Sequence, residues 1–183
     1  MALRNLLDAE RIAILVDPGS RAAVLDEAAR LLARSGSGQS RSGRSRSGRP
    51  GLAPVPGPGA RTAEPSLIAA IGAGLHERER SASTAIGHGV AIPHARIEGI
   101  EQSRCAFLRL AAPVDFGAAD GEPVDLVLAL AEPAHHVQQH LELLAELAQV
   151  LADPDYRSAL RTAPTIDLLR RRLLDGAGPT PSI

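Results

Sequence analysis

The residue best suited to carry chemistry is His94, which lies in the segment GHGVAIPHAR at residues 87–96. Pro93 lacks a backbone N–H, so it interrupts the ladder of a β-sheet and fixes the direction in which the chain continues. The sequence therefore predicts that a strand ends at Pro93 and that His94 is held at the sheet edge with its ring towards solvent. An imidazole with the ordinary pKa of about 6.5 is mostly neutral at pH 7, and its free ring nitrogen is nucleophilic. His94 is thus a candidate for covalent catalysis.

Two other kinds of chemistry fit the histidines and glycines less well. His136 and His140 are four residues apart, a spacing that places two imidazoles on one helix face for zinc, and His94 could complete such a site. No Glu follows His136, however, so the H-E-x-x-H pattern of zinc hydrolases is missing. The glycines before His94 are not followed by the G-K-[ST] of a phosphate-binding P-loop. A metal-dependent hydrolase stays a remote alternative, and an ATP-dependent kinase is disfavoured.

Helical periodicity predicts the elements that would support these residues. The segment DPGS supplies helix start signals before an apolar stripe at helical spacing. The clearest amphipathic helix is VQQHLELLAELAQVL, which carries His140. The predicted helices cover residues 20–34, 65–80, 137–151 and 165–174, and another begins at Asp153 and Pro154.

Short apolar runs predict the strands of a sheet. These are residues 12–16, 84–92, 103–110 and 124–131. The last of them, VDLVLALA, is apolar enough to be buried on both faces. The turn signals Ala112-Pro113, Gly117 and Asp120-Gly121 are expected to separate the last two strands. Strands mixed with helices and joined by short connections predict an α/β fold, with one mixed β-sheet covered by helices on both faces.

Residues 35–61 differ in composition from the rest of the chain. They are dominated by Gly, Ser, Pro and Arg, and they carry five of the 20 arginines without any Asp or Glu. Such a stretch has little to bury, so it predicts a disordered insert within a single domain over residues 1–175, followed by a flexible tail at 176–183. Weak, salt-sensitive attraction to nucleic acid is the alternative for the insert. Aromatic residues make up 2% of the chain, which argues against base-stacking platforms and specific nucleic-acid binding.

The cysteine count and the lengths of the apolar runs indicate the cellular compartment in which the protein is expected. The single cysteine, Cys105, excludes an internal disulfide and is expected to be a small buried hydrophobic residue. No apolar run reaches the ~18–20 residues of a membrane helix, and the N-terminus lacks the layout of a signal peptide. The expected location is the cytoplasm, without direct membrane insertion.

Three ordered motifs resemble one family. The segments SASTAIGHGVAIPHARIEGI, APVDFGAADGEPVDLVLALAEPA and QQHLELLAELAQVLAD are similar to the EIIA domain of the fructose/mannitol/nitrogen-regulatory class of the bacterial phosphoenolpyruvate phosphotransferase system (PTS). The resemblance covers nearly the whole chain apart from the insert and the tail. Members of this family normally join the two helices on either side of residues 35–61 by a much shorter connection.

The resemblance implies roles for particular residues. His94 in A-I-P-H matches the residue that accepts phosphate, and His140 in the Q-H-L-x-x-L-A-x-L-A helix matches the second active-site histidine. Arg78 matches the arginine of the family's R-E-x-x-x-S-T segment, and Ser83 and Thr84 are candidate phosphate contacts through hydroxyl or backbone donors. Taken without the resemblance, His140 reads as a helix-surface histidine, and Arg78 as part of a solvated charge cluster.

The function implied is that of a phosphohistidine phosphocarrier. His94 would accept phosphate from HPr or a nitrogen-branch HPr-like protein and pass it to an EIIB acceptor during sugar uptake. Transfer between phosphohistidines is nearly isoenergetic, so it needs complementary protein surfaces and no metal, nucleotide or other cofactor. The alternative is a nitrogen-regulatory EIIA, a binding module whose phosphorylation state selects its regulatory target proteins. The sequence leaves the choice between these two branches open.

Overall fold

The computed structural model of the protein describes residues 6–34, 65–135 and 137–174, and for residues 137–140 it gives the backbone alone. The predicted helices lie within a residue or two of their expected bounds. Ser20 caps the first helix by accepting a hydrogen bond from the backbone N–H of Ala23, and Asp153 caps the fourth in the same way. The helices are α1 (Arg21–Ala33), α2 (Pro65–Ser81), α3 (Val137–Ala152), α4 (Pro154–Arg161) and α5 (Ile166–Leu174).

Six strands form one mixed sheet in the described part of the chain. They are β1 (Leu7–Leu15), β2 (Ala85–Gly87), β3 (Val90–Ala91), β4 (His94–Ile97), β5 (Arg104–Val114) and β6 (Val124–Pro133). The order across the sheet is β1-β5-β6-β3-β2, and β4 also pairs with β6. The pairs β1–β5, β3–β6 and β4–β6 are parallel, whereas β5–β6 and β2–β3 are antiparallel.

Helices cover both faces of this sheet, as predicted. Side chains of β5 and β6 alternate between two apolar layers, because successive residues of a strand point to opposite faces. One layer joins the sheet to α1 and α2 and includes Ala106, Leu108, Val127 and Ala129. The other joins it to α3, α4 and α5 and includes Cys105, Phe107, Leu126 and Leu128. Both faces of β6 are therefore buried, and burial raises the pKa of the Cys105 thiol.

Two strands are longer than the sequence predicts. The strand expected at residues 12–16 begins at Leu7 and ends at Leu15, and Val16 is exposed. The turn expected at Ala112-Pro113 is wrong, since both residues lie inside β5. The register between β5 and β6 shifts between Arg109 and Val114, so Pro113 lies where the ladder is irregular and its missing N–H costs no regular bond.

The predicted insert at 35–61 and the predicted tail at 176–183 lie outside the described residues, so the division into domain, insert and tail stays a prediction. Within the described ranges, every helix is too short or too polar to cross a membrane.

Candidate functional site

His94 is the first residue of strand β4 and lies three positions after the end of β3 at Ala91. Strands β3 and β4 follow each other along the same side of β6. They pair with it in the same register, since Ala91 pairs with Val127 and His94 pairs with Leu130. Pro93 interrupts this line because it has no N–H to donate, although its carbonyl still accepts from Leu130. Strand β3 ends at Ala91, just before Pro93, as predicted, but pairing with β6 resumes at His94, which the sequence did not predict. The predicted edge position is correct because β4 pairs with β6 alone among the described strands.

The hydrogen bonds of His94 define which ring nitrogen carries the proton. Nδ1 lies 2.8 Å from the carbonyl oxygen of Ile92, and Nε2 lies 2.9 Å from Nε of Arg78. A carbonyl can only accept, so Nδ1 must donate, and a guanidinium can only donate, so Nε2 must accept. His94 is thus held as the Nδ1–H tautomer, and Nε2 presents a lone pair at a half-buried position.

Arg78 reaches this nitrogen from the last turn of α2. One of its terminal nitrogens donates to the carbonyl of Ala82 at 2.8 Å, which fixes the side chain across the end of the helix. Its neighbour Arg80 pairs with Glu77 on the exposed side of α2. The alternative of one solvated charge cluster therefore describes Glu77 and Arg80, but not Arg78.

Ser83 and Thr84 make hydrogen bonds within the protein. The Ser83 hydroxyl donates to the carbonyl of Phe116 at 2.7 Å and accepts from the N–H of Ala85 at 3.2 Å. Thr84 is buried, and both its N–H and its hydroxyl donate to the carboxylate of Glu79. Neither hydroxyl donates to the His94 ring in this structure, and the role of both residues as phosphate contacts stays a prediction.

Glu79 is a residue that the sequence analysis missed. Its side chain is 3% exposed, and its second oxygen, Oε1, lies 3.6 Å from a terminal nitrogen of Arg21. A signal for it was present in the helical spacing, because Glu79 follows the inward residues Ile71 and Leu75 by eight and four positions. A buried carboxylate needs hydrogen-bond donors, and Thr84 provides two of them.

The turn that leads into β3 is also held by charged side chains. His88 has a positive φ of 55°, its N–H donates to Asp120 at 2.8 Å, and its carbonyl accepts from Arg161 at 2.6 Å. Arg161 in turn forms an ion pair with Asp125 at 2.8 Å. The hydrogen bonds that Arg161 donates to the Asp125 carboxylate raise the pKa of Arg161, and the hydrogen bond from the His88 N–H lowers the pKa of Asp120.

The structure describes the other two candidate histidines, His136 and His140, incompletely. His140 lies in the first turn of α3, and its side chain is outside the described atoms. His136 is outside the described residues, so the zinc site suggested for His94, His136 and His140 is not tested and stays the alternative that the sequence raised. In the described ranges, the ligand atoms of His88, Asp120 and Glu122 lie within 4.8 Å of one another on the exposed surface. This group does not include His94.

Comparisons with known proteins show the family and the fold of the chain. The family model for the phosphoenolpyruvate-dependent sugar phosphotransferase system, EIIA 2, matches residues 59–175. The chain belongs to this family, which confirms the resemblance predicted from the three motifs.

Relatives from both branches of the family are similar to the chain. The nitrogen regulatory protein of Pseudomonas aeruginosa is 46% identical over 88 residues, which cover 48% of this chain and 57% of that protein. The 2-O-alpha-mannosyl-D-glycerate-specific EIIABC component of Escherichia coli is 36% identical over 96 residues, covering 51% of this chain and 15% of that protein. The matches span 50–57% of the length of the first four nitrogen regulatory relatives.

Solved structures confirm the α/β fold. The nitrogen regulatory protein IIA-Ntr of Neisseria meningitidis superimposes with a TM-score of 0.72 at 30% identity, covering 94% of this chain and 99% of that one. The mannitol IIA of Escherichia coli has a TM-score of 0.62 at 18% identity, covering 91% of this chain and 98% of that one. The second likeness concerns the fold alone.

Proposed function

We propose that the protein is a cytoplasmic phosphocarrier that accepts a phosphoryl group on Nε2 of His94. The observation that carries this proposal is the pair of hydrogen bonds on the ring, one that holds the proton on Nδ1 and one that directs a guanidinium at Nε2. The donor would be HPr or a nitrogen-branch HPr-like protein, as the family membership suggests. No cofactor is part of this proposal.

The transfer step exchanges one P–N bond for another. The lone pair of Nε2 attacks phosphorus, the bond to the donor's imidazole nitrogen breaks, and that nitrogen keeps the electron pair. Nδ1 retains its proton throughout, because the carbonyl of Ile92 continues to accept it. Arg78 moves its N–H from Nε2 to a phosphoryl oxygen, where its permanent positive charge stabilises the negative charge of the group. In transfer to an EIIB cysteine, the thiolate attacks phosphorus, the P–N bond to His94 breaks, and Nε2 regains its lone pair.

Phosphorylation of purified variants tests the site. We expect incubation with phosphoenolpyruvate and the purified upstream PTS proteins to label the wild type in an acid-labile manner. His94→Ala should take up no label. The matched control is His76→Ala, which removes a histidine of α2 that pairs with Asp26 and should leave labelling unchanged. Label that persists in His94→Ala would refute the assignment.

His140→Ala tests the second histidine of the proposal. We expect this variant to fold normally and to exchange phosphate more slowly, because the family resemblance gives His140 a place in the active site. Circular dichroism would check the fold, and quench-flow labelling would give the rate. Unchanged exchange kinetics would remove His140 from the site.

The acceptor of the phosphoryl group defines two versions of the function. An EIIB acceptor in sugar uptake is supported by the 36% identity to the 2-O-alpha-mannosyl-D-glycerate-specific EIIABC component of Escherichia coli. A nitrogen-regulatory switch is supported by the names of the first four curated relatives. In that version the phosphoryl group adds nearly two negative charges and changes which target can dock. Label that moves from the phosphorylated protein to an EIIB cysteine favours the first version, and label that is retained favours the second.

A further inference from the structure

A continuous series of hydrogen bonds connects the buried carboxylate of Glu79 with the ring of His94. Glu79 accepts from the N–H of Thr84 at 3.1 Å and also from its hydroxyl. The carbonyl of Thr84 accepts from the N–H of Ile92 at 3.0 Å. The carbonyl of Ile92 accepts from Nδ1 of His94 at 2.8 Å. Each of these groups therefore sets the position of the next.

The Ile92 carbonyl is available to His94 because of its place between two strands. Residues alternate in the direction of their backbone groups along a strand, and the β6 side of this line is occupied by bonds such as that from Leu130 to the carbonyl of Pro93. The N–H of Ile92 points instead towards Thr84, just before β2 begins at Ala85. The bond to Thr84 is thus what fixes the peptide whose carbonyl meets the imidazole.

We propose that Glu79 is a positioning residue that keeps His94 in its Nδ1–H tautomer by fixing Thr84 and, through it, Ile92. This inference rests on the proposed function of His94 for its consequence in phosphate transfer. Neutral imidazole has two tautomers, and the hydrogen bond at one nitrogen selects between them. Without a fixed acceptor at Nδ1, the proton can move to Nε2, which then has no lone pair for phosphorus and directs an N–H at Arg78.

Glu79 suits this task because its carboxylate is charged and is held in place by Thr84 and Arg21. Hydrogen bonds to an ionised acceptor are stronger than those between neutral groups, and both Thr84 donors converge on the same oxygen, Oε2. Arg21 lies beside the other oxygen and balances the charge. Glutamine at this position would keep one oxygen acceptor but would bring an NH₂ group towards either Thr84 or Arg21.

Nitrogen-15 NMR of histidine-labelled protein measures the tautomer without any phosphate transfer. In the wild type, Nε2 of neutral His94 should show the shift of an unprotonated nitrogen and Nδ1 that of an N–H. Glu79→Ala should bring in the Nε2–H tautomer at about a third of the population or more, and Glu79→Gln should give a smaller share. The control Glu77→Ala removes an exposed carboxylate of the same helix and should match the wild type.

Phosphorylation rates provide the second measurement. We expect Glu79→Ala to be phosphorylated at least about 10-fold more slowly than Glu77→Ala, with partial recovery in Glu79→Gln, because a wrong tautomer disables a catalytic histidine. A folded Glu79→Ala with an unchanged tautomer would overturn the inference and leave the proposed function intact. A changed tautomer in a protein whose His94 is never phosphorylated would overturn the proposed function instead. Should Glu79→Ala fail to fold, a folded Glu79→Gln without any detectable Nε2–H decides against the inference.

Discussion

Arginine side chains do different work in two regions of this molecule. At the end of α4, one terminal nitrogen of Arg109 donates to the carbonyls of Leu160, Arg161 and Ala163, and so holds the chain as it leaves the helix. At the end of α2, Arg78 donates to the carbonyl of Ala82 and to Nε2 of His94. Both side chains are half-buried and both lie at a helix C-terminus.

The difference lies in the partners. Backbone carbonyls keep their hydrogen-bonding character in every state of the protein, so Arg109 has a fixed structural role. The imidazole of His94 can gain or lose a phosphoryl group, so the partner of Arg78 can change during function. Arg78 belongs to helix α2 and Arg109 to strand β5, but both are half-buried arginines whose guanidinium groups lie at a helix C-terminus. The chemical group that each one contacts distinguishes the site from the scaffold.

Replacing Arg78 should show most clearly that an arginine of the site affects the phosphorylation rate more than it affects stability. We expect Arg78→Met to slow phosphorylation of His94 by about 100- to 1000-fold, since one preorganised donor to a developing charge is worth about that much. The free energy of unfolding should fall by about 1–2 kcal/mol, because the carbonyl of Ala82 and Nε2 of His94 each lose this donor. Stopped-flow or quench-flow labelling gives the rate and urea denaturation gives the stability.

Arg80→Met is the matched control for this experiment, because Arg80 lies on the exposed side of the same helix and pairs with Glu77. Its rate and stability should both be close to those of the wild type. Equal rates for Arg78→Met and Arg80→Met would contradict the role given to Arg78.

Replacing Arg109 should give the opposite pattern. We expect Arg109→Met to lower the free energy of unfolding by about 3 kcal/mol, because the carbonyls at the end of α4 lose a charged donor. The phosphorylation rate per folded molecule should stay within a factor of about two, since the barrier is unaffected. Arg171→Met, at an exposed position of α5, is the control for stability. A large loss of rate without loss of stability would show that the two regions are not separable.

The turn at residues 87–89 connects the two regions, and a pair of glycines tests how tightly it is held. Gly89 has a φ of +73°, and an added Cβ would lie 2.5 Å from Arg161 and 2.8 Å from Asp125. Gly99 has a φ of +81° with nothing within 4 Å. We expect Gly99→Ala to cost about 1 kcal/mol from backbone strain alone and Gly89→Ala about 2 kcal/mol or more. If thermal unfolding showed the same loss of stability for Gly89→Ala and Gly99→Ala, the Arg161–Asp125 ion pair would be able to move away from the added Cβ at no cost in free energy.

The contribution of the same turn to stability should depend weakly on pH through the Asp120 carboxylate. The hydrogen bond from the His88 N–H lowers the pKa of Asp120, so the folded state favours the carboxylate. The stabilisation is complete above the unfolded pKa of about 3.9 and is lost as the pH falls through the lower folded value. We therefore expect the Tm advantage of the wild type over Asp120→Asn to be constant above about pH 5 and to shrink below about pH 4. An advantage that grows in acid would contradict the direction of the shift.

The helices and buried strands could be predicted because their sequence signals are local. The caps at Ser20 and Asp153 and the apolar run of β6 define these elements without reference to the rest of the chain. The end of β5 could not be predicted in the same way. Residues 111–113 are exposed, and Pro113 is tolerated there because the ladder to β6 is irregular, which is a property of the pairing and not of the segment.

The site could be predicted in part for a similar reason. His94 and Arg78 were found through motifs, but their direct contact joins residues 16 positions apart and depends on how α2 packs beside β4. Ile92 was not predicted because its contribution is a backbone carbonyl, a group that every residue has. Glu79 was not among the predicted site residues, although its spacing from Leu75 places it on the inward face of α2.

Nuclear magnetic resonance of the phosphorylated protein tests the central claim most directly. Histidine labelled with nitrogen-15 shows a one-bond coupling to phosphorus at the nitrogen that carries the phosphoryl group. We expect this coupling at Nε2 of His94, with the proton still on Nδ1 facing the carbonyl of Ile92. Coupling at Nδ1 of His94, or at any other histidine, would contradict the account.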